Sequence, residues 1–241
     1  MKIALIGYGK MGKEIEKIAI SRKHEVPLII DIDNAADLNT ANLKKVDVAI
    51  DFSIPKTAYD NVLKCFEADV PIVCGTTGWM EQLEEAKNIC KTQNKTLFWS
   101  SNFSLGVNVF FKVNEMLAKI MNNLNDYNPS MQEVHHIHKL DAPSGTAISL
   151  AQGIISNIER LDSWTLLPQQ KEKALPIEAI RRGEVPGIHT IKYDSSVDFI
   201  EITHSLKGRQ GLALGSVVAA EFIKGKKGYY SIDDLLNILS K

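Results

Sequence analysis

Residues 1–99 alternate between short apolar runs and longer amphipathic stretches. The runs at 2–6, 24–30, 46–52, 71–74 and 96–99 predict strands, and the stretches at 13–20, 53–68 and 80–92 predict helices. Strands that alternate with helices form parallel sheets with helices on both faces. This part of the chain therefore predicts an α/β domain built on a parallel sheet.

The pattern changes after residue 103. Helices are predicted at 107–123, 144–160, 212–224 and 232–239, and residues 131–139 are predicted to be extended. Residues 187–194 and 198–206 alternate with period two, which predicts an antiparallel pair with one covered face. On the first of these helices the expected apolar face consists of Val109, Val113, Met116, Leu117 and Ile120. We interpret the chain as one domain at 1–103 and 212–241, with an α+β domain inserted at 104–211.

Three glycines lie between the first predicted strand and the first predicted helix. Their spacing, G-x-G-x-x-G, is typical of Rossmann-type dinucleotide-binding domains, where a tight turn and a helix N-terminus face a pyrophosphate. Asp31 closes the second predicted strand, where an acid accepts hydrogen bonds from the adenosine ribose; Asp33 is the weaker candidate for that contact. The candidate cofactor contacts here are Gly7, Tyr8, Gly9, Lys10, Met11, Gly12 and Asp31.

Small and polar residues follow the predicted strands at 71–74 and 96–99. Ligands of open parallel sheets bind beyond the carboxyl ends of the strands, so these residues are expected at the same edge as the glycine turn. The additional candidate cofactor contacts are Gly75, Thr76, Thr77, Ser100, Ser101, Asn102 and Phe103. For residues 75–77 an ordinary strand-to-helix turn is the alternative interpretation.

Composition narrows the class of protein. A net charge of −1 gives no basic field, so we expect no nucleic-acid partner. We expect no membrane partner either, because no apolar run reaches the roughly 18 residues that cross a bilayer. The chain begins directly with a strand, which indicates no signal peptide. The irregular spacing of Cys65, Cys74 and Cys90 predicts reduced packing residues in a cytoplasmic protein.

A second chemical cluster follows Glu133. His135, His136 and His138 are half of the six histidines, and Lys139 follows at once. A turn at 141–143 then leads into a helix through 144–146, where N–H groups can hold an anion. Neighbouring strand residues diverge, so we expect no metal site.

Two other interpretations of this cluster compete. Solvated or core histidines are one. The other is an acid and anion-binding site, which suits reduction of an acidic imine by a nicotinamide cofactor, with the protein supplying the proton.

Residues 135–147, His-His-Ile-His-Lys-Leu-Asp-Ala-Pro-Ser-Gly-Thr-Ala, resemble the signature of the 4-hydroxy-tetrahydrodipicolinate reductases, also called dihydrodipicolinate reductases. Further segments match the pattern of that family in order along nearly the whole chain. They are residues 7–12, 51–53, 75–78, 101–104, 182–184 and 201–204, together with Gly187, His189 and Arg209.

The resemblance implies a Rossmann-type domain, a substrate domain with an open mixed sheet, and a homotetramer built from those sheets. It implies reduction of a dicarboxylate, 4-hydroxy-tetrahydrodipicolinate or dihydrodipicolinate, by NADH or NADPH in lysine (diaminopimelate) biosynthesis. His135 would be the general acid or base, and Lys139 the proton donor or charge-stabilising partner. His136, Gly145 and Thr146 would contact the substrate. Which of His135 and Lys139 delivers the proton is left open.

The sequence departs from the family pattern at three places. The segment between Asp31 and Asp51 is short beside that of many family members. Ile32 follows Asp31 where an arginine would grip the 2′-phosphate of NADPH, so we favour NADH, although Lys10 can still reach that phosphate. Ile188 replaces a glutamate between Gly187 and His189.

Two alternative functions stay open. One is another Rossmann imine or amino-acid oxidoreductase, and the other is an NAD-sensing regulator, which would be expected to carry a DNA-reading module.

Overall fold

The computed structural model describes residues 1–239. Two compact units divide the chain, Met1–Leu105 with the segment from Arg209 onward, and Gly106–Gly208. The domain boundaries predicted from the sequence, 103/104 and 211/212, lie two and three residues from these divisions.

The first unit contains a six-stranded sheet in the order β11-β5-β4-β3-β1-β2, and every neighbouring pair is parallel. Its strands are β1 (Lys2–Ile6), β2 (Glu25–Ile30), β3 (Val48–Asp51), β4 (Ile72–Cys74), β5 (Thr96–Trp99) and β11 (Gly228–Tyr230). Its helices are α1 (Lys10–Ser21), α2 (Thr40–Leu43), α3 (Pro55–Glu67), α4 (Met80–Thr92), α7 (Gln210–Ile223) and α8 (Ile232–Leu239), with a 3₁₀ segment at Ile32–Asp37. The predicted α/β class is confirmed.

Alternation along the strands sends side chains into two apolar layers. Ala4 and Ile6 of β1 join α3 and α4 in one layer, while Ile3 and Leu5 join α1, α7 and α8 in the other. Cys65, Cys74 and Cys90 are all buried in the first layer. The C-terminal helices thus complete the first unit. The edge strand β11 was not predicted, because three residues are too few to show a period.

The second unit is a five-stranded mixed sheet, in the order β10-β9-β6-β8-β7, packed against two helices. Its elements are α5 (Leu105–Met121), β6 (Asn128–His135), α6 (Gly145–Ile155), β7 (Ser163–Leu166), β8 (Ala174–Arg181), β9 (Ile188–Asp194) and β10 (Phe199–Ser205). β9 pairs antiparallel with β10, which confirms the predicted pair, and also with β6. β7 and β8 were not predicted; they pair with each other, and β8 also pairs with β6, in parallel.

The predicted apolar face of α5 is wrong. Val109, Val113, Met116 and Ile120 are 48%, 37%, 61% and 60% exposed, and of the predicted set only Leu117 packs against the core. The buried positions are instead Val107, Asn108, Phe110, Asn114, Ala118 and Met121. The helix is apolar around most of its circumference, so periodicity did not single out a face. Small and amide residues decided the packing: the Asn114 side-chain amide donates to the Leu150 carbonyl at 2.9 Å.

Two further boundaries differ from the sequence expectation. β6 ends at His135, so residues 136–139 are not part of the strand, and α6 ends at Ile155 rather than at 160. Ser231, which the sequence predicts as the N-cap of the last helix, immediately precedes α8, and its N–H and hydroxyl donate to the Asp234 carboxylate at 2.7 and 2.9 Å.

Helix α7 supplies a matched test of close packing in the first unit. A Cβ added at Gly215 would lie 1.7 Å from the Phe103 carbonyl oxygen, whereas one added at Gly211 would meet only Ser104 Oγ at 3.6 Å. We expect Gly215→Ala to lower the free energy of unfolding by about 1–3 kcal/mol, because backbone would have to move. Gly211→Ala should stay within about 1 kcal/mol of wild type. Urea unfolding of both variants measures the difference, and equal midpoints would contradict this account.

Candidate functional site

The glycine turn between β1 and α1 has the shape that a dinucleotide requires. Gly7 has φ +89°, and a Cβ there would lie 2.3 Å from the Phe52 carbonyl oxygen. A Cβ at Gly12 would lie 2.2 Å from the Gly7 carbonyl oxygen, which enforces the close turn. Gly9, at the N-cap of α1, faces open space, with nothing within 4 Å of an added Cβ. The first N–H groups of α1 are therefore accessible to a phosphate.

The other residues of the turn have different roles. The Tyr8 hydroxyl donates to Glu16, and Lys13 Nζ lies 5.8 Å from the Tyr8 ring centroid. Met11 packs against the apolar layer that contains α7. Lys10 is exposed. Thus Met11 stabilises the turn, Tyr8 stabilises it and also lines the cavity beside it, and the Lys10 side chain is accessible to a ligand.

A cavity of about 410 Å³ adjoins the glycine turn. Asp31 lines it beside Ile32, and the Asp31 carboxylate accepts the Ile32 N–H at 3.0 Å. The opposite wall consists of α3 and the residues before it: Ser53, which lies in a segment that matches the family pattern, and Ile54, Thr57, Asp60, Asn61 and Lys64, which are not among the predicted contacts. Apolar side chains beside a polar ribose contact are what an adenosine half requires, so the cavity fits the dinucleotide that the glycines imply.

Asp51 holds the end of β3 to its neighbours. The side chain is fully buried, and its carboxylate accepts hydrogen bonds from Thr76 Oγ1 at 2.6 Å, Asn61 Nδ2 at 2.8 Å, and Ser53 N and Oγ at 3.0 and 2.9 Å. Burial raises the pKa of Asp51, and these hydrogen bonds oppose that shift. One carboxylate therefore joins the ends of β3 and β4 to α3.

The segment after β4 is fixed from several sides. The Thr76 carbonyl accepts hydrogen bonds from the Trp79 and Trp99 indole N–H groups at 2.8 and 3.2 Å. A Cβ at Gly75 would lie 2.3 Å from the Phe52 ring. Residues 75 and 76 are therefore more constrained than residues of an ordinary turn. Thr77 is exposed at the edge of the sheet where β1 also ends.

Residues after β5 divide into internal and exposed positions. Ser100 Oγ donates to the Asn102 carbonyl at 2.8 Å, and Phe103 is buried against Phe52 and Phe98. Ser101 is exposed and Asn102 half-buried. The Phe103 side chain therefore belongs to the core, and Ser101 and Asn102 are the positions that a cofactor can reach.

In the second unit, three titratable side chains converge beneath the end of β6. Glu133 and His135 share one face of β6, and His189 is the cross-strand partner of Glu133 on β9. Glu133 Oε2 lies 3.5 Å from His135 Nδ1 and 3.8 Å from His189 Nε2. The three residues are 0%, 6% and 2% exposed. Sequence analysis assigned no role to Glu133 or His189, because the pairing of β6 with β9 was not predicted.

The Glu133 carboxylate also receives hydrogen bonds from two other elements. The Ser144 N–H donates to its two oxygens at 3.2 and 3.1 Å, and Arg181 Nη2 donates at 3.2 Å. Burial lowers the pKa of His189 to about 4 and also lowers the pKa of His135, and the charge of Glu133 opposes both shifts.

The sequence argument considered neighbouring residues of one strand, whereas the pairing of β6 with β9 brings one ligand atom each of Glu133, His135 and His189 within 4.8 Å of the others. A cation between them would compete with Arg181 for the Glu133 carboxylate.

His136 and His138 fall in the stretch that the sequence predicts to be extended, but β6 has already ended before them. Their ring centroids are 6.0 Å apart within a turn. His138 is exposed and lies 3.1 Å from Glu184. Lys139 Nζ donates to the Asp141 carboxylate oxygens at 2.7 and 2.8 Å. The Lys139 ammonium group is thus already paired with Asp141, and an anionic ligand that binds it would have to displace the Asp141 carboxylate.

The start of α6 reaches both the buried cluster and open space. Ser144 Oγ accepts the Ala147 N–H at 3.1 Å as the N-cap and lies 3.2 Å from His189 Nε2. Gly145 is exposed, with nothing within 4 Å of an added Cβ, and Thr146 is half-buried. The first N–H groups of a helix attract anions, so a carboxylate can bind at residues 145 and 146.

A glycine turn shaped for a pyrophosphate and a second unit with buried histidines, a lysine and an anion-binding helix start define an oxidoreductase that uses a nicotinamide nucleotide. The chain belongs to the dihydrodipicolinate reductase family: sequence models of the N-terminal and C-terminal parts of that enzyme match residues 1–103 and 106–236. Membership favours this class over the generic imine reductase and the regulator that the sequence left as alternatives.

Two full-length relatives carry the name of this enzyme, and a solved structure shares the fold. The chain is 48% identical over 241 residues to a 4-hydroxy-tetrahydrodipicolinate reductase from Christiangramia forsetii, covering 100% of both chains. It is 33% identical to the enzyme of that name from Lawsonia intracellularis, covering 98% of this chain and 99% of the relative. The fold is similar to dipicolinate-bound dihydrodipicolinate reductase from Paenisporosarcina sp. TG-14, with a TM-score of 0.80 at 23% identity over 96% of this chain and 97% of the other.

Within the part of the chain that the structure describes, none of the helices has the length and apolar character of a membrane span.

Proposed function

We propose that the protein reduces 4-hydroxy-tetrahydrodipicolinate with loss of water, or the dihydrodipicolinate that remains once this water has left, to tetrahydrodipicolinate in lysine (diaminopimelate) biosynthesis, with NADH as the preferred cofactor. The observation that carries the proposal is the cluster at residues 135–147, where a buried imidazole, an ammonium group and a helix N-terminus lie together. The names of the full-length relatives support the same reaction.

The substrate carries two carboxylates, and residues 136–146 contain a binding position for each. One carboxylate binds at the N–H groups of Gly145 and Thr146, where the α6 dipole favours negative charge. The other substrate carboxylate binds the ammonium group of Lys139, where it displaces the Asp141 carboxylate. His136 contacts the ring or its substituents. His136 Nδ1 is buried without a hydrogen-bond partner among the described residues, which suits a group that a ligand completes.

Bound NADH supplies a hydride to the ring. His135 supplies or relays the matching proton, and Lys139 stabilises the negative charge that develops on the ring. His135 is almost fully buried, so its proton is shielded from exchange with bulk water. Substrate carboxylates favour the imidazolium form, because they add negative charge beside it.

The preference for NADH follows from the residues at the second strand end. The Asp31 carboxylate at the cavity wall accepts hydrogen bonds from the ribose hydroxyls and repels a 2′-phosphate. Ile32, 89% exposed, occupies the position from which an arginine would bind that phosphate. Lys10 and Lys64 are the nearby cations, and they allow NADPH to bind with lower affinity.

We propose that the protein acts as a cytoplasmic homotetramer assembled through the second-unit sheet. One face of that sheet is covered by α5 and α6, and the other carries residues such as Gln132, Glu178, Thr190 and Lys192, which lie outside the apolar core. Sedimentation velocity is expected to give about four times the 26.8 kDa chain mass. A monomer at assay concentration would refute the assembly without affecting the proposed reaction.

The reaction is tested by coupling the protein to a dihydrodipicolinate synthase with pyruvate and aspartate semialdehyde, and following nicotinamide absorbance. Wild type should oxidise NADH, and His135→Gln should lower kcat by about 10²–10⁴-fold, the range for a lost general acid. Binding of NADH, measured by fluorescence titration, should be retained in the variant. No oxidation of either NADH or NADPH by the wild type would eliminate the proposed function.

Cofactor selection is tested with a matched pair of carboxylates. Asp31→Ala should raise KM for NADH about tenfold or more, the effect of losing charged hydrogen bonds, and raise KM for NADPH less. Asp33→Ala tests the weaker candidate and should leave both constants near wild type, and Asp37→Ala, at an exposed position that does not line the cavity, is the control. Equal effects of Asp31→Ala on the two cofactors would remove Asp31 as the ribose contact.

A further inference from the structure

We propose that Glu133 is the positioning residue of the active site: its buried carboxylate orients His135 and keeps this histidine able to carry the proton. The inference rests on the proposed function for its catalytic consequence. Glu133 itself acts through His135.

The His135 ring lies close to both Glu133 and Gly187. Glu133 Oε2 lies 3.5 Å from Nδ1, and a Cβ added at Gly187 would lie 3.1 Å from Nε2 and 3.3 Å from Cδ2. Nδ1 has no hydrogen-bond partner among the described residues, so a proton there has Glu133 as its nearest acceptor. With Nδ1–H directed to the carboxylate, Nε2 is the nitrogen that exchanges a proton with the substrate.

The charges around His135 come from several elements. Lys139 and His136 in the turn after β6, and Arg181 on β8, disfavour the imidazolium, as burial does. His189 on β9 is a neutral ring near pH 7, stacked edge-on at 5.1 Å. Among the described groups that act on His135, Glu133 is the one that favours its charged form.

Glu133 also connects His135, the proposed acid, to the start of α6, where a substrate carboxylate is proposed to bind. It accepts the Ser144 N–H, which fixes the start of α6, while Arg181 Nη2 donates to Oε1 and to the Asp141 carbonyl at 2.6 Å. A carboxylate withdrawn completely from water is costly, and packing alone would be served better by an apolar side chain. Because Glu133 lies between His135 and the start of α6, a role in positioning these two groups explains why a charged side chain is buried here.

The test is Glu133→Gln, which keeps the shape of the side chain and removes its charge. Activity that needs protonated His135 is present at low pH and is lost as pH rises through the pKa of His135. Removing the anion lowers that pKa, so the alkaline limb of kcat/KM for the substrate should move to lower pH by about one unit or more. Above the limb, kcat/KM should fall about tenfold. Glu133→Asp keeps the charge and should restore most of the profile, and Glu172→Gln, at an exposed loop position, is the control and should match wild type.

Arg181→Gln provides a test of opposite sign. Removing this cation leaves the Glu133 charge less neutralised, so the limb should move to higher pH. Titration of the His135 ring by nuclear magnetic resonance in ¹³C-histidine-labelled protein should show the same two shifts without substrate, and NADH binding reports folding of the first unit. The readout without substrate separates this inference from the proposed reaction.

A uniform loss of kcat/KM at all pH values in Glu133→Gln, with the His135 titration unmoved, would overturn the proposal and leave Glu133 a structural residue. Limbs that shift in the same direction in both variants would overturn it as well.

Discussion

A carboxylate that folding removes from water must receive hydrogen bonds, and each unit of this protein is organised around one such group. Asp51 and Glu133 are both fully buried. Each lies at or near the carboxyl end of a central strand, and each accepts hydrogen bonds from other elements. An unsatisfied acceptor in such a place costs about 1–3 kcal/mol, so the loops that supply the donors are held in place by that cost.

The two carboxylates differ in what surrounds them. The donors to Asp51 are neutral hydroxyl, amide and N–H groups, so it acts as a structural anchor for the loops beside the glycine turn. Glu133 has an arginine and two imidazoles beside it. Its charge therefore favours the protonated form of His135 and His189, whereas the charge of Asp51 adds to the effect of burial in raising the pKa of Cys65 and Cys74.

Local signals in the sequence predicted the first unit well. β1, α4 and β5 begin and end at the predicted residues, because short apolar runs and turn residues delimit them clearly. The glycine turn was equally readable, since its spacing reflects contacts between near neighbours. β11, β7 and β8 were missed because their short or irregular patterns gain stability only from pairing with distant strands.

The candidate site was predictable only where its residues are adjacent in sequence. His135, His136, Lys139 and the start of α6 form one run, and the family pattern identified them. Glu133 and His189 come together through the register of β6 with β9, which no local period encodes. The exposed side of α5 shows the same limit, because a helix that is apolar around most of its circumference leaves the choice of the buried face to its neighbours.

The burial of all three cysteines has a practical meaning for chemical labelling. Burial raises the pKa of Cys65 and Cys74, and raises that of Cys90 to about 11. Thiolate is the reactive species, so maleimides and mild oxidants find little to attack in the native fold. A single cysteine engineered on the surface would therefore carry a fluorophore or spin probe selectively, without first stripping the natural thiols from the interior.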